Sequence, residues 1–362
     1  MPIVSILLPV YNAVKDLPRA IHSLLNQTFL DFEVIAIDDG SNDGSSEMLD
    51  TFSQKDTRIR VFHQPNAGAL GITLNNALQH AHGKYLARQD ADDASHPTRL
   101  ENQVQYLDSH PQIGLCGSWA WFIDSGLGPL FSLELPDEHK LLMGYLNKGM
   151  NPFVHGSIMG RTDQFRKIGG YRGSYAEDFD LWLRLAEITQ LGICTSLGYY
   201  FWRSIGGISF GASTRQAGLI QLYLQLKSER ALLGKETSVW EDEYQKIMRI
   251  PTREAIPNER EASMHYARAI QLLRRGVFKP AREELFLAAA GNGVYSQKAH
   301  RNLAFFGFAP IIAAFYKFLE KQEPFHYSRR LPVGTKLPSN IINPETQSLG
   351  YNAVYSIISK GR

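Results

Sequence analysis

The chain has 362 residues, of which 44% are hydrophobic and 20% charged, and its formal net charge is +2. That length suits one large domain with a smaller appendage, and the near-neutral balance excludes bulk electrostatic binding of nucleic acid. The two cysteines, Cys116 and Cys194, stand alone without metal-type spacing, which is the usage of a reduced cytoplasmic protein.

The apolar residues that begin at Ile3 have no basic leader and are interrupted by Pro9 and Asn12, so no signal peptide is expected. No run of about 18 apolar residues predicts a transmembrane helix. From Ile3 to Val10 the chain is continuously apolar, as a buried parallel strand should be. Leu17 to Leu25 carries helical spacing. Phe32 to Ile37 reads as a strand running into Asp38-Asp39-Gly40-Ser41. A helix over Ser45–Phe52, a strand over Arg58–His63, a helix over Leu70–Ala81 and a strand over Tyr85–Arg88 follow, the last running into Asp90-Ala91-Asp92-Asp93. Such β-α alternation predicts a doubly wound α/β sheet, whose ligands bind beyond the carboxyl ends of the strands. Both acidic clusters fall at such ends.

Beyond Ile113 the pattern is mixed. Strands are predicted at Leu115–Ile123, His155–Gly160, Leu191–Cys194 and Tyr199–Arg203, with helices at Asp137–Leu146 and Asp178–Glu187. From Thr214 the pattern is helical. Ala217–Leu233 is one helix, and Glu259–Arg274 with Pro280–Ala290, broken at Gly276, reads as a tetratricopeptide-like hairpin. Residues 331–362 carry three prolines and read as an extended tail. The expected division is therefore 1–213, 214–330 and 331–362. The apolar stretch Ala304–Leu319 is too short to span a bilayer. It reads as a core helix first and as a peripheral membrane contact second.

Three acidic sites suit chemistry. Asp90 and Asp92, two residues apart in a tight turn, suit a hard divalent cation such as Mn²⁺ or Mg²⁺ shared with phosphate oxygens. A solvated turn capping the next helix explains them as well, and Asp93 fits that role. Asp39 at a strand end can accept from a base N–H or a ribose hydroxyl, or can simply build a turn. Glu177 and Asp178 open a helix, where acids suit the dipole. They could also supply a general base. His155 reads equally as an acceptor-side group or a structural histidine, and Trp182 reads as core.

In their order and spacing, residues 4–209 resemble the catalytic domain of glycosyltransferase family 2, which has a GT-A fold. The matching stretches are Val4–Ala13, Ile37–Ser45, Asn66-Ala67-Gly68 with Leu74-Asn75, Tyr85–Asp93 with Pro97 and Arg99-Leu100, and Gly169-Gly170-Tyr171 with Ala176–Trp182. The resemblance implies a GT-A type doubly wound mixed sheet with a C-terminal helical region. It implies an inverting, metal-dependent transfer from a nucleotide-sugar donor, with UDP preferred, to a glycan or lipid-linked saccharide at the cytoplasmic side. Pro9 and Tyr11 would line the nucleoside pocket and Asp39 would contact the base. Asn66 and Gly68 belong to the same donor-side set. Asp90 would lie near the ribose or metal, Asp92 would bind the metal, and Asp178 would be the base with Glu177 beside it.

One departure stands out. Many members carry a His after the base segment, and Ile205 occupies that place here. A catalytically weakened module that binds nucleotide and recruits a partner is therefore the alternative reading. A nucleotidyltransferase is disfavoured, because Pro9-Val10-Tyr11-Asn12 is not a basic, Gly-rich loop. No Gln-x-x-Arg-Trp motif follows, which argues against a processive polymerase.

Overall fold

Strand β1 (Val4–Val10) is buried along almost its whole length, and β2 (Phe32–Asp38) is buried throughout. Both are therefore central strands, covered on two faces. The structure is a computed structural model. It describes residues 1–124, 128–173, 175–203, 213–236, 240–249, 259–274, 277–290, 294–304 and 328–330.

Between these strands runs α1 (Leu17–Leu25), with Pro18 in its first turn, where a missing N–H costs nothing. Then come α2 (Ser45–Lys55), β3 (Ile59–His63), α3 (Leu70–His80) and β4 (Tyr85–Arg88). β1 pairs in parallel with β2 and β4, and β2 with β3. The carboxyl ends of β3, β2, β1 and β4 thus lie side by side along one edge.

The second half continues with β5 (Ala94–Ser95), α4 (Arg99–Ser109), β6 (Ile113–Asp124), β7 (Gly128–Leu133) and α5 (His139–Asn147). A 3₁₀ turn at His155–Ser157 precedes β8 (Met159–Arg161), α6 (Thr162–Lys167), α7 (Glu177–Ala186) and β9 (Gln190–Arg203). β8 is antiparallel to both β4 and β6, so the sheet is mixed. Its order is β10-β7-β6-β8-β4-β1-β2-β3, where β10 is Ser328–Arg330, and β9 pairs with β6 and β5.

Helices α8 (Ser213–Leu233), α9 (Trp240–Met248), α10 (Glu259–Arg274), α11 (Phe278–Ala290) and α12 (Val294–Ala304) follow. The change of pattern near 214 is not a break in packing. Leu219, Leu222, Tyr223 and Leu226 of α8 and Tyr244 of α9 share one core with Phe179 and Trp182 of α7. Helices α10, α11 and α12 have their own small apolar clusters. Arg268 of α10 donates from Nε to both oxygens of Asp124 at 2.9 Å, which ties that helix to the end of β6.

Three expectations need correction. The stretch from His155 is a 3₁₀ turn followed by a three-residue strand, because Gly156 lies against Tyr199 and the chain must turn there. Leu191–Cys194 and Tyr199–Arg203 are parts of one strand, β9, whose register against β6 shifts near Ser118 and Trp119. Asp93 does not cap α4, since it accepts the Trp202 backbone N–H at 2.7 Å. The 331–362 tail, Gly276, Ile205 and the stretch from Phe305 to Leu319 lie outside the described residues.

Candidate active site

The loop after β1 is fastened to the loop after β2. Asn12 N–H donates to Ser41 Oγ at 3.0 Å, and Asn42 N–H donates to Asn12 Oδ1 at 2.9 Å. Asp38 is consumed in building that edge. It accepts from Ser41 N–H and the Ser46 hydroxyl and meets His63 Nδ1 at 3.0 Å. Its carboxyl is lowered because these hydrogen bonds outweigh the burial that would raise it.

Asp39 is buried beside it, and its Oδ1 accepts from the Gln64 side-chain amide at 2.5 Å and Ala67 N–H at 2.9 Å. Its position next to Val10, whose carbonyl takes the Asp39 N–H at 2.8 Å, brings it beside Tyr11. Gly40 has φ +77°, and a Cβ there would come 2.8 Å from Asn66 N, so this close approach requires glycine. Pro9, Asp39, Asn66 and Gly68 thus converge on one end of the sheet. Tyr11 is 54% exposed there, a large ring facing solvent. Asn66 Oδ1 accepts Gly68 N–H at 2.8 Å, which shapes that turn.

The second cluster grows from β4. Gln89 N–H donates to Leu7 O at 3.0 Å, which fixes the chain as it leaves the sheet. Asp90 then folds back onto Arg88, and its backbone N–H donates to the buried Tyr199 hydroxyl at 3.1 Å. Asp92 is half-buried. Its carboxyl is pushed up to about 6 by burial first, then by the charges of Asp90 and Asp16. Arg19 donates to the Asp92 carbonyl and lies 4.1 Å from the Trp202 ring centroid, with Asp16 as its ion pair at 2.8 Å. This stack holds the acidic loop against the end of β9.

Several carboxylates crowded in one buried turn suit a divalent cation, which would relieve their repulsion. Among the described residues no group of three His, Cys, Asp or Glu side chains forms a ready cage. Asp90 and Asp92 therefore fit an ion whose shell is completed by phosphate oxygens and water, the usual arrangement for Mg²⁺.

The third cluster opens α7. Ala176 takes a left-handed conformation, φ +53°, which is uncommon for a residue with a Cβ. It aims the first turn of α7 across the site. Asp178 Oδ1 accepts Phe179 N–H at 2.7 Å, and Oδ2 accepts from the Asn151 side chain at 2.6 Å. Burial raises its carboxyl, against the hydrogen bond from Phe179, the charge of Arg88 and the bond from Asn151. Glu177 is buried and pushed up to about 8, by burial first and by Asp178 next. His155 Nδ1 lies 3.8 Å from Glu177, and its Nε2 lies 3.1 Å from the Tyr171 hydroxyl. Burial and the Arg88 charge hold that imidazole well below its ordinary range, hence neutral.

The acidic loop after β4 and the start of α7 are thus brought together, with Arg88 acting on both. Trp182 is fully buried core, as its helix face suggests. Sequence reasoning missed Arg88, Tyr199, Tyr171 and Gln64. A signal existed for Arg88: it ends an apolar, fully buried strand immediately before an acidic turn.

Comparison with known proteins bears on the family and the fold. Residues 5–169 match the model of glycosyl transferase family 2. The chain is 36% identical over 191 residues to the putative glycosyltransferase EpsE of Bacillus subtilis, covering 51% of this chain and 67% of EpsE. It is 30% identical over 190 residues to the O-antigen biosynthesis glycosyltransferase WbnJ of Escherichia coli, covering 51% of this chain and 72% of WbnJ. Across the first curated relatives the aligned half of this chain spans 60–72% of their own length. Among solved structures, S. aureus TarS 1-349 in complex with UDP-GlcNAc matches with a TM-score of 0.50 at 15% identity, covering 87% of this chain and 89% of that chain. At that identity the match shows the fold, which is GT-A.

Proposed function

This chain belongs to glycosyltransferase family 2, and from that membership we propose that it transfers a sugar, with inversion, from a UDP-sugar to a hydroxyl of a glycan or lipid-linked saccharide. The observation that carries the reading is that the Asp90–Asp92 loop and the Glu177–Asp178 turn share one buried guanidinium, Arg88, which holds both oxygens of Asp90 at 2.5 Å and whose charge acts on Glu177 and Asp178. A donor needs its diphosphate neutralised at one wall and its acceptor deprotonated at the other, and the two acidic pairs supply those walls.

Pro9, Tyr11, Asp39, Asn66 and Gly68 hold the nucleoside in this reading, with Asp39 accepting from the base through the carboxylate oxygen that Gln64 and Ala67 leave free. Asp92, with Asp90 beside it, would hold Mn²⁺ or Mg²⁺ together with the diphosphate. Such an ion supplies neutralisation of the charge that develops on the leaving group. Asp178 is the base. It is only half-buried, while Glu177 beside it is inside the chain against His155. As the acceptor oxygen bonds to the anomeric carbon, its proton passes to the Asp178 carboxylate. The bond from that carbon to the phosphate oxygen breaks, and its electron pair leaves with the nucleoside diphosphate. Attack opposite the leaving group converts an α-linked donor into a β-glycoside. TarS was solved with UDP-GlcNAc, which supports a UDP-sugar as the donor class.

Among the described residues no helix is long and apolar enough to cross a membrane. We place the transfer in the cytoplasm or at its membrane face, where a lipid-linked acceptor is within reach. The divisions at 213 and 330 stand as boundaries of sequence pattern, since α8 and α9 share the core of α7, and the donor and base sites both precede 213.

The test is thermal stability against UDP, GDP, TDP and CDP, each with and without Mn²⁺, because binding to the folded state raises the melting temperature. A metal-dependent rise with UDP that is lost in Asp92→Ala supports the proposal. No rise with any nucleotide sinks it and leaves the partner-recruiting reading.

A further inference from the structure

Arg88 is the last residue of β4, and its side chain is 3% exposed. Its guanidinium takes both oxygens of Asp90, one terminal nitrogen to Oδ2 and the other to Oδ1, each at 2.5 Å. Its Nε–H is buried with no acceptor among the described residues, so one donor is left over inside the site. The backbone around it is locked. Arg88 N–H donates to Ile158 O at 3.2 Å, and Arg99 donates to both Arg88 O and Ile158 O, at 2.8 and 2.9 Å. Ile158 directly follows the turn that carries His155.

The charged and titratable groups that face Arg88 come from every element around it. They are Asp90 on its own loop, His155 on the 3₁₀ turn, Tyr171, Glu177 and Asp178 at the approach to α7, Tyr199 on β9 and Arg99 on α4. Burial opposes the charge on the guanidinium, and the charge of Asp90 with its hydrogen bond overcomes it. A planar fork suits this place in a way that an ammonium does not, because it can bind two oxygens at once.

We propose that Arg88 is a positioning residue that organises both halves of the site around one guanidinium: it anchors Asp90 by both oxygens and presents the same positive charge to Glu177 and Asp178. The proposal rests on the reading of the site given above. It has two consequences. Asp90 is held in place, which leaves Asp92 as the carboxylate free to meet the diphosphate and its ion. The base also ionises beside a fixed positive charge, although Glu177 is its neighbour.

The test compares the wild type with Arg88→Gln, Arg88→Lys and the paired variant Arg88→Gln/Asp90→Asn. The first readout is the titration of the Asp178 carboxyl, followed by ¹³C NMR in the full chain without donor. Loss of the guanidinium in Arg88→Gln should make that carboxyl a roughly tenfold weaker acid, the low end of what removing an interacting opposite charge does. Arg88→Lys keeps the charge and should hold the titration near that of the wild type. It loses the fork, and its donor KM should rise while kcat changes less. If Arg88→Gln does not fold, the paired variant, in which Asp90 loses its charge along with its partner, is compared with Asp90→Asn alone, so that the two differ only in the guanidinium. An Asp178 titration identical with and without the guanidinium overturns the proposal. Absence of transfer by the wild type with every donor would instead sink the proposed function, and the titration would still decide the role of Arg88.

Discussion

Glu177→Gln keeps the shape of the side chain and removes the charge that the site accommodates least. Glu177 stands at about 8 against an ordinary 4.5, through burial first and Asp178 second, and its side chain is 10% exposed, so solvent screens it little. Between those two values the folded chain keeps a proton that the unfolded chain has released. A carboxyl raised in this way contributes stability that is fully present below about pH 4.5 and is lost as pH rises through about 8. At about 1.4 kcal/mol per pH unit, the loss by pH 7 is on the order of 3 kcal/mol. Asp178 shares the same repulsion, so the portion removed with Glu177 alone should be about 1–3 kcal/mol. Glutamine has no proton to lose. The variant should therefore gain on the wild type as pH rises from 5 to 8, read as a growing difference in urea midpoint by tryptophan fluorescence. Transfer should survive in the variant, with the rising limb of its pH profile little moved, because Glu177 is still protonated, and so uncharged, where Asp178 ionises. A stability difference that is the same at pH 5 and pH 8 would refute the electrostatic account of this pair.

Three further outcomes follow from the same geometry. Asp178→Asn should retain the nucleotide-dependent rise in melting temperature while transfer falls about 10²–10⁴-fold; transfer at the wild-type rate would remove Asp178 as the base. Affinity for Mn²⁺ should increase as pH rises through about 6, since the Asp92 carboxyl must lose its proton to bind the ion; calorimetric titration at pH 5 and pH 7.5 checks this, and equal affinities would argue against Asp92 as a ligand. Gly156→Ala should destabilise the fold by about 1–3 kcal/mol, because its Cβ would lie 1.9 Å from the Tyr199 hydroxyl that receives the Asp90 N–H; an unchanged melting temperature would show that the turn at 155–157 yields easily.

The first four strands were legible because central parallel strands are apolar on both faces, so Ile6, Val34 and Leu86 need no alternation to be recognised. Acids at their ends then marked the ligand edge. The second half was harder. In β9 the run Thr195-Ser196 and Gly198 looks like a turn, yet the strand passes through it because its register against β6 shifts there. β5 has two residues and no pattern of its own. Asp93 carries the ordinary look of a helix cap, and only tertiary structure shows it reaching Trp202 across 109 positions. Site residues close in sequence, such as Asp90 with Asp92 and Glu177 with Asp178, could be named. Their common neighbour Arg88 could not be assigned to them, because nothing in the sequence says which way a buried arginine turns.

The packing of α8 and α9 bears on how the chain can be cut and recombined. A cut at the compositional change near 213 would strip Leu219, Leu222, Tyr223 and Leu226 from α7 and bare the apolar side of the helix that begins with Glu177 and Asp178. It would also separate Arg172 from Glu236, 2.7 Å away, and Glu187 from Arg230. Chimaeras that exchange acceptor preference between relatives should therefore be joined beyond Met248, so that donor loops, base and supporting helices are inherited together as one piece.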